Sequence, residues 1–343
     1  MAIINPYVEG YRLHRHSAEF QWHPPQIQES FLKVGFLNIL STYGWHTRGQ
    51  EYRESVPQFN WASRCPAIME LIAQERPAVL GLCELDLIQI QDLEKEIKEG
   101  RLKEYQLIGF STQTAESLEE AKRKYPADAW KTYGTFVAAL INGTLIEVKI
   151  PPECEQLPTH PGQTWQTVLM KVHLVDKIAS QAFVFLVSHF DYHAGCTNIR
   201  EQSCDQELRT LRALEQQGIP YLSVGDRNWS PKTGEEEAKR YIDSGLVTDM
   251  RDYNQYGCFG LPGTFRRGKE FVTIDTGYRS RGLTEGVVYY TRAGKYDLAT
   301  RKLLPDTAKI KKQPNTGFVS DHFMFIAGVR FKKPLKGLTH AEP

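Results

Sequence analysis

A chain of 343 residues, 41% hydrophobic and 24% charged, has enough apolar surface for a sizeable core and none of the compositional signs of disorder. Its formal net charge of +1 excludes bulk electrostatic attraction as the means of holding a polyanion, so a local patch would have to recognise one. No apolar run approaches the ~18 residues of a membrane span, and no charged start leads into an apolar stretch. The expectation is a cytoplasmic protein with no transmembrane segment and no ordinary secretion signal.

The six cysteines (Cys65, Cys83, Cys154, Cys196, Cys204 and Cys258) are scattered without a CxxC or a close pair, the pattern of free thiols in a reducing compartment. One domain is expected over residues 31–331, preceded by an N-terminal arm over 1–30 and followed by a tail over 332–343.

In chain order, residues 31–40 read as a strand and 62–75 as a helix, with apolar Ile68, Met69, Leu71 and Ile72 and a stop at Arg76-Pro77. A strand over 78–83 follows at once. Asp86 caps a second helix that runs to about Lys98, a short strand covers 105–110, and Ser117 with Glu120 offers a capping box for another helix. Apolar, β-branched and aromatic runs at 134–141, 145–150, 167–175 and 182–188 then predict a largely antiparallel stretch of sheet. A strong helix over 198–217 closes at Gly218 and Pro220, and a buried strand over 221–225 delivers Asp226 at its C-terminal end. A last helix spans about 235–242. Strands near 271–276, 286–291 and 323–329 are separated by loops rich in Gly, Pro and Lys, of which 299–316 is the expected mobile one. The fold class is α/β.

Polar residues stand at the ends of these strands, where side chains emerge into a shared cleft: Asn38, Glu84, His189, Asp226, Asn228, Asp275, Asp321 and His322. Taken singly, an Asp or Asn after a strand is a cap or turn former. Taken together they mark an α/β chain with a polar cleft, in which the residue types suit a metal ion and a phosphate. A hard divalent cation such as Mg²⁺ takes oxygen ligands and keeps several waters, and the carboxylate of Glu84 with the amide oxygen of Asn38 supplies such a pair. Asp226 and Asn228, two apart on an extended segment, converge on one phosphate and can divide two roles, an acceptor beside the attacking water and a donor to the phosphate. His189 and His322 can each bond a phosphate oxygen or exchange a proton, with Asp275 the candidate to fix the tautomer of His322.

The order of Leu37-Asn38-Ile39, Leu82-Cys83-Glu84, Ser188-His189-Phe190, Gly225-Asp226-Arg227-Asn228, Ile274-Asp275 and Ser320-Asp321-His322 resembles that of the endonuclease/exonuclease/phosphatase superfamily, over residues 32–329. Asn60-Trp61-Ala62-Ser63-Arg64 is similar to the Trp-x-x-Arg lead-in of some members, and Gly134-Thr135-Phe136-Val137-Ala138 to the strand after their variable region. The resemblance implies the DNase I-like four-layer α/β sandwich, two mixed sheets face to face with helices outside. It further implies Glu84 as the principal metal ligand with Asp321 near the metal, and Asp226 near the nucleophile. Asn228 would lie on the scissile phosphate, His322, paired with Asp275, would act as base or phosphate clamp, and His189 would stabilise the pentacovalent oxygens or assist protonation of the leaving group. Two positions depart from the pattern: Cys83 stands where many members have Gln, and Asp275-Thr276-Gly277 replaces the usual Asp-Tyr-Ile.

The implied activity is a monomeric, Mg²⁺-dependent phosphodiester hydrolase of the nuclease kind, with Mn²⁺ as a substitute metal and a phosphoester substrate, nucleic acid among the candidates. The alternatives are a phosphomonoesterase for inositol phosphates or phosphoinositides, and an inactive binding protein on the same fold. Arg266, Arg267 and Arg279 are candidates to neutralise further phosphates, and Trp229 and Tyr278 to stack on a base or sugar; solvated-loop cations and core aromatics are the plain alternatives.

Overall fold

The computed structural model describes residues 31–42, 59–112, 119, 122–123, 136–161, 166–192, 197–228, 234–251, 258–259, 265–267, 270–272, 274–292, 294–304, 316–320 and 322–332. The arm expected over 1–30, the capping pair Ser117 and Glu120, most of the 299–316 loop and nearly all of the 332–343 tail lie outside them.

The chain opens with β1 (Leu32–Asn38), α1 (Trp61–Glu75), β2 (Val79–Leu85), α2 (Leu87–Glu99), β3 (Tyr105–Ser111) and β4 (Phe136–Asn142). The middle holds β5 (Ile146–Val148), β6 (Glu153–Gln156), β7 (Val168–Asp176), β8 (Gln181–His189), α3 (Thr197–Gln216), β9 (Tyr221–Asp226), α4 (Gly234–Asp243) and β10 (Val247–Asp249). Then come β11 (Cys258–Phe259), β12 (Phe265–Arg267), β13 (Glu270–Val272), β14 (Asp275–Ser280), β15 (Thr284–Arg292), β16 (Lys295–Asp297), β17 (Thr316–Phe318) and β18 (Met324–Phe331). Where one strand was expected over 271–276, the structure has two, interrupted at Ile274, whose carbonyl accepts from Arg227 N–H at 3.0 Å.

Local chemistry sets the helix starts. Asn60 caps α1 by accepting from Ala62 N–H, and Arg76 ends it in the left-handed region ahead of Pro77. Asp86 caps α2 in a full capping box, its side chain taking Gln89 N–H while Gln89 reaches back to the Asp86 N–H.

The strands form two large sheets. The first runs β11-β15-β18-β1-β2-β4-β3, the second β10-β14-β9-β8-β7-β5 with β6 also on β7. The middle run of strands therefore divides between sheets, the chain crossing over after β4. Three apolar layers follow. Phe36, Val79, Val187, Val224 and Phe325 pack between the sheets; Ile68, Leu71 and Ile72 of α1 pack on the first sheet; Leu208, Leu211 and Tyr241 pack on the second. Central strands buried on both faces read as continuous apolar runs, which is why β1, β2, β8 and β9 show no alternation. The architecture is the four-layer sandwich. A Cβ on Gly81 of β2 would lie 2.6 Å from Val224 of the facing sheet, so glycine there lets the two sheets close. No helix among the described residues is long and apolar enough to cross a membrane.

Candidate active site

Strand direction gathers the polar residues at one edge of the sandwich. β1 and β2 are parallel and end together at Asn38 and Glu84; β8 and β9 are parallel and end together at His189 and Asp226. β14 and β18 run the other way, so Asp275, paired with Asp226, and His322, just ahead of β18, stand where the others finish. Half the group comes from each sheet.

Backbone irregularities aim two of them. Glu84 sits at φ 56 in a β-bulge of the β2–β4 pairing between Leu82 and Leu85, and Asn228 at φ 49 turns the chain just past β9. Positive φ in a non-glycine residue costs about 1–3 kcal/mol and persists where surrounding contacts fix it. Asn228 is fixed twice, its N–H donating to Asp226 Oδ1 at 2.9 Å and its Nδ2 to the Phe190 carbonyl at 2.9 Å. Gly225 lets β8 and β9 approach, since a Cβ there would meet the Ser188 carbonyl at 2.5 Å.

Side chains meet across the gap between sheets. Asn38 Nδ2 donates to Glu84 Oε1 at 2.7 Å and to Asp226 Oδ2 at 2.9 Å. His189 Nε2 lies 3.6 Å from Glu84 Oε1. His322 Nδ1 lies 2.9 Å and 3.1 Å from the two Asp275 oxygens. A carboxylate only accepts, so Nδ1 carries the proton and Nε2 is turned toward Asp226 Oδ2, 3.8 Å away. Donor atoms of Glu84, Asp226 and His322 lie within 4.8 Å of one another, spacing that suits a single cation. The field is negative. The thiol of Cys83 beneath is pushed well above its ordinary value, by burial first and then by Asp226, Glu84 and Asp275. Glu84, Asp226 and His322 are the residues that could hold a metal ion in this negatively charged cluster.

The structure refines several expectations. Asn38 presents its nitrogen to the carboxylates, because its oxygen accepts the Leu40 N–H at 3.0 Å. Tyr278, expected to stack on a base or sugar, is fully buried against Tyr241 with centroids 4.5 Å apart, because its strand face is covered by α4. Arg279, expected at the cleft, is buried and donates to the Thr284 carbonyl at 2.8 Å, tying β14 to the start of β15. Asp321 and Trp229 lie outside the described residues, as do the side chains of Arg266 and Arg267, whose backbones form β12.

Arg64 is a residue whose role its motif did not disclose. Fully buried, it donates to the Ile39 and Leu40 carbonyls and, at 2.8 Å, to the Val319 carbonyl, with Nε on Phe59 O at 3.1 Å. It thereby joins the segment after Asn38 to the one before His322, where Ser320 Oγ also bonds the Asn38 carbonyl at 2.7 Å. Arg64→Met strands buried carbonyls worth about 1–3 kcal/mol each, so a stability loss on the order of 3 kcal/mol or more is expected in urea unfolding. A loss below ~1 kcal/mol would show that the carbonyls find other partners.

Similar solved structures have the same fold. A Bacteroides vulgatus endonuclease/exonuclease/phosphatase superposes with TM-score 0.64 at 16% identity, covering 89% of this chain and 100% of that one. The Bacteroides thetaiotaomicron mannosyl-6-phosphatase Bt3783 gives TM-score 0.64 at 17% identity, covering 88% and 100%. TDP2 of D. rerio, complexed with single strand DNA product, gives 0.56 at 13%, covering 88% and 100%. No family model matches the sequence. No curated protein matches it either. The fold is that of the endonuclease/exonuclease/phosphatase proteins, in a sequence far diverged from these three.

Proposed function

We propose that this chain is a Mg²⁺-dependent phosphoester hydrolase that acts on phosphodiesters by direct attack of water on phosphorus. The observation that carries the reading is the meeting of Asn38, Glu84 and His322 from one sheet with His189, Asp226, Asn228 and Asp275 from the other. Glu84 would hold a divalent cation, which would supply positive charge to the phosphoryl oxygens.

The chain's own groups do the rest. Asp226 orients the attacking water and draws on its proton as the new P–O bond forms. One Nδ2 hydrogen of Asn228 is held by Phe190, leaving the second for a phosphate oxygen. His322, held by Asp275, turns Nε2 toward the reacting centre, and His189 approaches from the opposite sheet. The P–O bond to the leaving oxygen breaks as that oxygen takes up a proton, from His189 or from solvent water. The intact set argues against an inactive binding protein, since a scaffold kept only for its groove has no use for the His322–Asp275 pair.

Purified protein with Mg²⁺ should hydrolyse bis-p-nitrophenyl phosphate, and a chelator should stop it; no hydrolysis of any phosphoester at any divalent ion would sink the reading. A monoesterase reading is favoured by the likeness to a mannosyl-6-phosphatase. A panel of single- and double-stranded DNA, RNA, phosphoinositides and sugar phosphates decides between the two.

A further inference from the structure

The residue between Asp226 and Asn228 carries a charge into the interior. Strand alternation turns Arg227 away from the inter-sheet gap and into the layer between the second sheet and helices α3 and α4, where it is fully buried. Its Nη2 pairs with Glu207 Oε1 of α3 at 2.8 Å and donates to Ser223 Oγ at 2.8 Å. Its Nη1 donates to the Thr276 carbonyl at 3.1 Å and to Thr276 Oγ1. The guanidinium faces three rings, Tyr278 at 4.8 Å, Tyr241 at 5.0 Å and Phe190 at 5.8 Å, and Tyr241 Oη donates to the other Glu207 oxygen at 2.8 Å. Burial works against the charge, and Glu207 with the two tyrosines outweighs it.

A buried ion pair of this kind is a poor way to gain stability, because well-packed apolar residues of similar volume serve as well or better. Its anchors point to another use. Phe190 follows His189, Thr276 follows Asp275, and Arg227 itself lies between Asp226 and Asn228, so the guanidinium and its backbone grip the immediate neighbours of four site residues. The Phe190 N–H bonds Asp226 O at 2.8 Å and its carbonyl holds Asn228, closing the connection. The departure at Thr276 also finds its reason: its hydroxyl and carbonyl are acceptors for Arg227.

We propose that Arg227, locked by Glu207, is a positioning residue that sets Asp226 and Asn228 in register with Asp275 and His189. The inference rests on the hydrolase reading above. Lys in its place keeps the charge but loses the planar fork and the ring stacking. Arg227→Lys and the double variant Arg227→Met/Glu207→Met are compared with the wild type by kcat, KM, melting temperature and amide hydrogen exchange. The double variant is included because Arg227→Met alone leaves Glu207 buried and unpaired.

The expected result is a double variant that remains folded, with kcat lowered about 10²-fold, KM little changed and faster exchange at the amides of residues 190, 227 and 228. Arg227→Lys should fall between. A double variant with wild-type kcat and unchanged exchange would overturn the proposal and leave Arg227 a packing residue. Should the wild type hydrolyse nothing, the functional reading fails, and the exchange measurement still decides whether Arg227 orders residues 226–228.

Discussion

Replacing Asp226 by Ala is expected to lower kcat for bis-p-nitrophenyl phosphate by at least about 10²–10³-fold, the loss that follows when a preorganised transition-state contact is removed. Three contacts converge on this carboxylate: Asn38 Nδ2 and His322 Nε2 face Oδ2, and the Asn228 N–H bonds Oδ1. The Ala variant therefore also frees Asn228 from one of its two restraints at positive φ. Asp226→Asn separates the effects, since an amide oxygen can still receive the Asn228 N–H while the negative charge is gone. Both variants should remain folded by near-UV circular dichroism, and full activity in either would remove Asp226 from the reaction.

Asp275→Asn comes second. The carboxylate sits 2.9 Å from His322 Nδ1, so the change acts on that imidazole. With an amide in its place the proton on Nδ1 is no longer demanded, and the ring populates the tautomer and rotation that turn Nε2 away from the reacting centre. A loss of about 10–100-fold in kcat is expected, typical of removing the group that orients a functional histidine. Steady-state kinetics on Asp275→Asn and His322→Ala, alone and combined, check it. If the two act as one unit, the double variant is no worse than His322→Ala; additive losses would place Asp275 in an independent role.

Much of the fold is legible in the sequence because its strands and helices carry strong local signals. Asp86 marks the start of α2, Gly218 and Pro220 the end of α3, and the apolar run at Tyr221 marks β9. Short strands such as β6, with its exposed Glu-Cys-Glu-Gln, have no such signal and exist only because β7 offers them a partner. The site was partly legible for a related reason. Glu84 and Asp226 interrupt apolar strands, where a charged side chain is conspicuous. Tyr278 lies three residues on from Asp275, so alternation turns it to the opposite face under α4, and Arg279 pairs with Leu222 at the end of β14 away from the candidate site. Arg64, Arg227 and Glu207 were not legible as supports, since their partners are backbone carbonyls and side chains brought from distant segments only by the folded sandwich.

The crossing contacts, Asn38 to Asp226, His322 to Asp275 and Glu84 beside His189, each join one sheet to the other. Neither sheet alone brings these residues together, so assembling the proposed site and docking the two sheets are a single event. A ligand that grips both rims acts as a clasp on the whole molecule, binding the native form and stabilising it by RT ln(1 + L/Kd), where L is the free ligand concentration. Activity in such a protein reports global integrity: a chain with one sheet intact and the other loosened is, chemically, as silent as an unfolded one.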